Sequence, residues 1–260
     1  MAEFVTLDVV EGDAARDVAV LRIDRAPLNL LSTDVLREIR AAAERAAADE
    51  RIAALVVYGD ERVFSAGDDL AELAALDRAG AEAMAADIQA ALGALARVPQ
   101  PTVAAITGYA LGGGLELALG ADRRIIGDNV KLGLPQIKAG LIPLAGLARL
   151  TRLIGAGAAR DLVYTGRFVE HAEALSLGLV DEVVAPDEVF AAALRWARQF
   201  VDGPARALAA AKAVFEAADT AEAGASARAR WAALFDTEDR RTGTESVLAD
   251  GPGSAVFVGR

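Results

Sequence analysis

The chain has 260 residues, 54% of them hydrophobic and 25% charged, which suffices for one large domain or one domain with a small appendage. Its 27 basic and 38 acidic side chains give a net charge of -11, which weighs against nucleic acid or an anionic membrane as the main partner. The same charge leaves room for a phosphate-bearing ligand held by a few local cations or amides, and the absence of cysteine excludes disulfides, thiolate catalysis and cysteine-bound metals.

In chain order, residues 4–10 and 17–23 are short β-branched runs separated by Glu11, Gly12 and Asp13, the pattern of a hairpin. Ser32 or Thr33 is placed to cap a helix running to about Asp49. Residues 52–58 form a continuous apolar run, expected as a buried strand. Helical periodicity then covers 69–76 and 81–97, and Pro99 and Pro101 frame a strand over 102–107. A glycine cluster, a helix over 113–120 and a strand over 123–126 follow. Beyond about residue 145 helices predominate, interrupted by one apolar strand at 179–184. Strands and helices alternating through short connections indicate an α/β layer fold. The tail reads as helices over 186–201, 204–217 and an Ala/Arg/Glu segment to about Arg240, whose apolar face needs either the core or another subunit. The N-terminus lacks the pattern of a signal peptide, and the apolar stretch 102–119 is interrupted by glycines and Glu116, so the expectation is a cytoplasmic protein without a membrane span.

Two segments carry chemistry. Phe64-Ser65-Ala66-Gly67-Asp68-Asp69-Leu70 and Gly108-Tyr109-Ala110-Leu111-Gly112-Gly113-Gly114-Leu115-Glu116 each read as strand, glycine-bearing loop and helix. Free N–H groups at two such helix starts offer two donors to one oxygen, and glycine lets backbone approach a ligand closely. Glycine clusters before helices also serve tight turns and close packing, and spacing alone leaves both readings open. Neither segment has the spacing of a phosphate loop or a dinucleotide fingerprint. Glu116 sits one turn into an otherwise apolar helix, where a carboxylate is either paired or functional.

These strings resemble the two signature segments of the enoyl-CoA hydratase/isomerase (crotonase) superfamily. Support continues through Pro135-Gln136-Ile137, Gly140-Leu141-Ile142-Pro143, 149–155, 162–167 and Gly178-Leu179-Val180-Asp181. The resemblance implies a spiral ββα core over residues 1–195 and a helical region over 196–260 used in trimers or in hexamers built as dimers of trimers. It implies an acyl-CoA thioester substrate, coenzyme A present only as part of that substrate, and no metal or permanently bound cofactor. The N–H groups of Ala66 and Gly113 are expected to hold the thioester oxygen, with Ala66, Gly67, Asp68, Asp69, Leu70, Gly112 and Gly113 contacting substrate. For Asp68 and Asp69 the residues themselves favour helix capping.

The pattern departs at one position. Hydratases of the family carry two glutamates; the first corresponds to Glu116, and the second falls twenty positions later, at Gln136. Glutamine orients water but exchanges no proton at neutral pH. Three functions are therefore weighed: a hydratase adding water to a 2-enoyl-CoA with Glu116 as base and Gln136 as orienter; a one-carboxylate enoyl-CoA isomerase; and a non-catalytic acyl-CoA binder. The first carries the expectation that Gln136→Glu raises hydration. Leu144 and Leu147, in a loop that is glycine-rich in the family, are expected to narrow or reshape the pocket. His171, Arg240 and Arg241 are expected as surface residues.

Overall fold

The computed structural model describes residues 4–10, 12, 16–203, 205–216, 231–251 and 254–255. Its strands are β1 (Val5–Val10), β2 (Asp17–Ile23), β3 (Ile52–Tyr58), β4 (Thr102–Ile106), β5 (Tyr109–Leu111), β6 (Arg123–Gly127), β7 (Lys131–Gly133), β8 (Phe168–Glu170) and β9 (Glu182–Val184). A six-stranded sheet runs in the order β1-β2-β3-β4-β6-β9, antiparallel only at the β1–β2 hairpin. Every residue of β3 and of β4 is buried, because both faces of these central strands are covered. Leu55 and Val57 face one apolar cluster with Ile39 and Ile106, while Val56 and Ala54 face a second with Val103, Ile125 and Ala193. The two-residue alternation of a strand divides the run in this way.

The helices are α1 (Thr33–Ala48), α2 (Leu70–Ala74), α3 (Arg78–Leu92), α4 (Ala94–Arg97), α5 (Gly113–Ala118), α6 (Leu147–Thr165), α7 (His171–Leu177), α8 (Val189–Ala197), α9 (Ala205–Glu216) and α10 (Glu238–Asp250). Ser32 caps α1, its hydroxyl accepting the Val35 N–H at 3.4 Å, and Val35, Ile39, Ala42 and Ala46 form its buried stripe. The periodicity over 81–97 is split in the structure, with Gly93 separating α3 from α4. Strands β5, β7 and β8, of three residues each, form a separate small sheet in the order β5-β7-β8 that local patterning does not reveal. The last strand begins at Glu182 rather than 179, because Leu179 and Val180 are buried in the turn that ends α7.

Of the tail, residues 217–230 of the expected Ala/Arg/Glu helix lie outside the described residues. The following helix, α10, packs on the chain's own core, against α2 and the 3₁₀ turn Pro135–Ala139. Contact there is close: a Cβ on Gly243 would lie 2.5 Å from the Ala139 carbonyl carbon. Arg240 is buried, donates to the Leu76 carbonyl at 2.8 Å and stacks 4.3 Å from the Phe235 ring centre. It is thus a docking residue and not the surface charge expected; Arg241 is exposed.

Candidate functional site

The two signature loops meet at the edge where the two sheets adjoin. Ser65 donates its N–H to the Tyr109 carbonyl at 2.9 Å and accepts the Leu111 N–H at 3.1 Å, a parallel bridge from the first loop to β5. The Ser65 hydroxyl donates to the Asn29 carbonyl at 2.7 Å, and the Leu31 N–H donates to the Gly67 carbonyl at 2.8 Å. Gly67, at φ +98°, is where the loops press hardest, since a Cβ there would lie 2.4 Å from the Leu111 carbonyl oxygen. Only glycine meets both demands.

The expected donors are placed differently. The Ala66 N–H is committed to the Leu28 carbonyl at 2.9 Å, so it is not a free donor and its assignment to a ligand oxygen is corrected. The Gly113 N–H does point into the site, and it donates to Asp68 Oδ2 at 3.1 Å. The Asp68 carboxylate is further stabilised by its own N–H and by the Gln136 amide, while burial pushes its pKa up. Two backbone amides, those of Asp68 and Gly113, therefore converge on one carboxylate. Gly112, at φ +51°, and Gly113 leave the space it fills: a Cβ on either would lie 2.8 Å and 2.6 Å from the nearer Asp68 oxygen. Capping is done by Asp69 alone, which accepts the Ala71 N–H at 3.2 Å and pairs with Arg25 at 2.8 Å. The expectation of capping fails for Asp68.

Behind this lies Glu116, 1% exposed. Its Oε1 accepts the Gln136 Nε2 at 2.9 Å, and its Oε2 accepts the N–H groups of Ala145 and Gly146, the latter at 2.7 Å. Burial, and then the charge of Asp68, push its pKa up to about 8 against those donors. The backbone of residues 145–146 is a partner the sequence did not disclose, because amide donors leave no side-chain signature. Leu144 packs in the core and Leu147, partly buried, packs against it, neither on the cavity wall, so the loop shapes the site through its N–H groups.

A cavity of about 300 Å³ opens over this cluster, walled by Ala66, Asp68, Asp69, Leu70, Gly112 and Gln136 from the predicted set. Val247 and Leu248 of α10 complete its wall together with Phe168 and Lys138, none of them anticipated. Glu116 sits one layer deeper, behind Gln136. The buried Gln136 Oε1 has no hydrogen-bond partner. Leu73 and Leu76, on the face shared with Leu70, go to the core. His171 begins α7, partly buried and away from the cavity wall. Among the described residues, no group of three or more His, Asp or Glu is placed to hold a metal.

The sheet topology and the paired glycine loops define a crotonase-like α/β protein, and comparison with known proteins agrees. A family model for enoyl-CoA hydratase/isomerase matches residues 13–249, so the chain belongs to that family of lyases and isomerases within the crotonase superfamily. It is 53% identical over 216 residues to a probable enoyl-CoA hydratase, EchA17, of Mycobacterium avium, covering 83% of this chain and 84% of that protein. A probable enoyl-CoA hydratase EchA17 of Mycobacterium tuberculosis is 50% identical over 238 residues, covering 90% and 91%. The crystal structure of human mitochondrial delta3-delta2-enoyl-CoA isomerase is also similar, with a TM-score of 0.85 at 27% identity over 94% of this chain and 96% of that one.

Proposed function

We propose that this protein is an enoyl-CoA hydratase, adding water across the double bond of a 2-enoyl-CoA. The observation carrying the proposal is the convergence of the Asp68 and Gly113 amides on one carboxylate beside an apolar cavity, with a buried glutamate behind it. A thioester oxygen accepting those two N–H groups gains negative charge as water adds at C3, and fixed amides in a dry site stabilise that enolate without reorganising. Glu116 takes the proton of the attacking water. The Gln136 carbonyl, buried without a partner, accepts that water's second hydrogen and aims it.

The names of the mycobacterial relatives support hydration. Gln136 favours one competing reading, a double-bond isomerase in which a single carboxylate moves a proton between two carbons, and the likeness to the human isomerase supports it at the level of fold. Hydration of crotonyl-CoA, followed by loss of the enoyl-thioester ultraviolet absorbance, separates the two. Loss of absorbance is expected; a flat trace alongside turnover of a 3-enoyl-CoA replaces the hydratase with the isomerase. The proposal includes a cytoplasmic protein assembled as three or six copies through residues 196–260, which light scattering tests. No described helix is long and apolar enough to cross a membrane.

A further inference from the structure

Asp68 has no task in the architecture of its own loop. Asp69 caps α2 and binds Arg25, whereas the Asp68 carboxylate crosses to the other signature loop and accepts the Gly113 N–H at 3.1 Å. Over Gly112 it meets Gln136: a Cβ there would lie 2.8 Å from Asp68 Oδ2 and 3.4 Å from Gln136 Nε2. The same Nε2 donates to Glu116 at 2.9 Å, so one amide group links two carboxyls. Asp68 lines the cavity directly, and Glu116 lies behind Gln136.

Resting on the hydratase reading, we propose that Asp68 is the second acid–base carboxyl of the reaction, supplied from the opposite loop in place of a carboxylate at position 136. With the cavity empty, the carboxyl occupies the two converging amides. The thioester oxygen takes those donors and turns the carboxyl onto the acyl carbons. Water then adds its oxygen to C3 while Glu116 removes its proton, and the C2=C3 electron pair moves into the thioester as an enolate. The enolate re-forms its carbonyl as C2 takes the Asp68 proton. One proton has then passed from water to Glu116 and one from Asp68 to C2, and exchange with solvent restores the starting forms after release. No further reactant enters. The charged groups around Asp68 are Glu116 across Gln136, Lys138 on the cavity wall and the Asp69–Arg25 pair beside it. Burial of two neighbouring carboxyls favours keeping one proton on the pair: with the cavity empty it sits on Glu116 beside the Asp68 charge, and once the thioester oxygen takes the two amides that hold that charge, the proton passes to Asp68 and leaves Glu116 ionised as the base.

The test is steady-state hydration of crotonyl-CoA by wild type, Asp68→Asn and Asp68→Ala, with thermal melts to confirm folding. The expected result is a fall in kcat of about 100-fold or more with KM equal or lower, since the acid is lost while its competition for the amides is removed. Wild-type kcat in Asp68→Asn with only a lowered KM overturns the proposal, leaving Asp68 as an internal occupant of the amide pair. If neither variant folds, Asp68→Glu decides: a displaced basic limb in its kcat–pH profile supports an acid role, and an undisplaced one rejects it. Failure of the wild type to hydrate any 2-enoyl-CoA counts against the hydratase reading itself, whereas an active wild type with an unaffected Asp68→Asn counts against Asp68 alone.

Discussion

At the scale of single residues, Glu116 was legible because a carboxylate inside an apolar helix has no packing reason to be there. Its environment was not legible, since it is made of amides from residues 145–146 that any sequence supplies. The prediction for Glu116→Gln is loss of hydration by about 100-fold or more, measured as kcat, with the fold retained. The structure reverses the expectation for Gln136→Glu. A carboxylate there removes the donor that links Glu116 and Asp68 and sets a third carboxyl against two already raised in pKa. Hydration by Gln136→Glu is therefore expected to fall, and a rise above the wild-type kcat/KM would show that Asp68 does not share the site's proton. Ala66 was misassigned because a position within a motif does not reveal whether its N–H is already spent on Leu28.

At the scale of elements, the long periodic segments were readable and the short ones were not. β3 and α1 carry their patterns over 7 and 16 residues, whereas β5, β7 and β8 have three residues each and exist because they pair with one another. That small sheet matters to the site, for the bridge from Ser65 to Ala110 and the approach at Gly67 hold the two loops in register. Gly67→Ala meets both an unfavourable φ and the Leu111 carbonyl. It is expected to lower stability by more than about 1 kcal/mol in denaturant melts and to reduce kcat/KM by separating the loops. The apolar face of the tail was legible, its destination only as a choice between core and subunit, and the structure sends α10 to the core beside the cavity. Gly243→Val, driven against Ala139, should lift α10 and raise KM for acyl-CoA through the displaced Val247 and Leu248. Unchanged KM would mean that α10 does not shape the bound acyl chain.

At the scale of the whole molecule, the site is carried as stored electrostatic cost. A carboxyl whose folded pKa is about 8 keeps its proton in the native state at pH values where the unfolded chain has lost it. The native state then binds more protons than the unfolded one between the ordinary carboxylate range and about pH 8, so this group's contribution to stability falls as pH rises through that window. Melting temperatures measured from pH 5 to 8 should decline, and Asp68→Asn should flatten the decline by removing the charge that helps raise Glu116. The central claim is that two amides, from Asp68 and Gly113, receive a thioester oxygen. Infrared difference spectra of a carbonyl-labelled 2-enoyl-CoA, free and bound to the catalytically impaired Glu116→Gln protein, test it most directly. The account predicts a bound carbonyl band at lower frequency than in water, as two fixed N–H donors polarise the bond. A bound band at the solution frequency, or above it, would contradict the account.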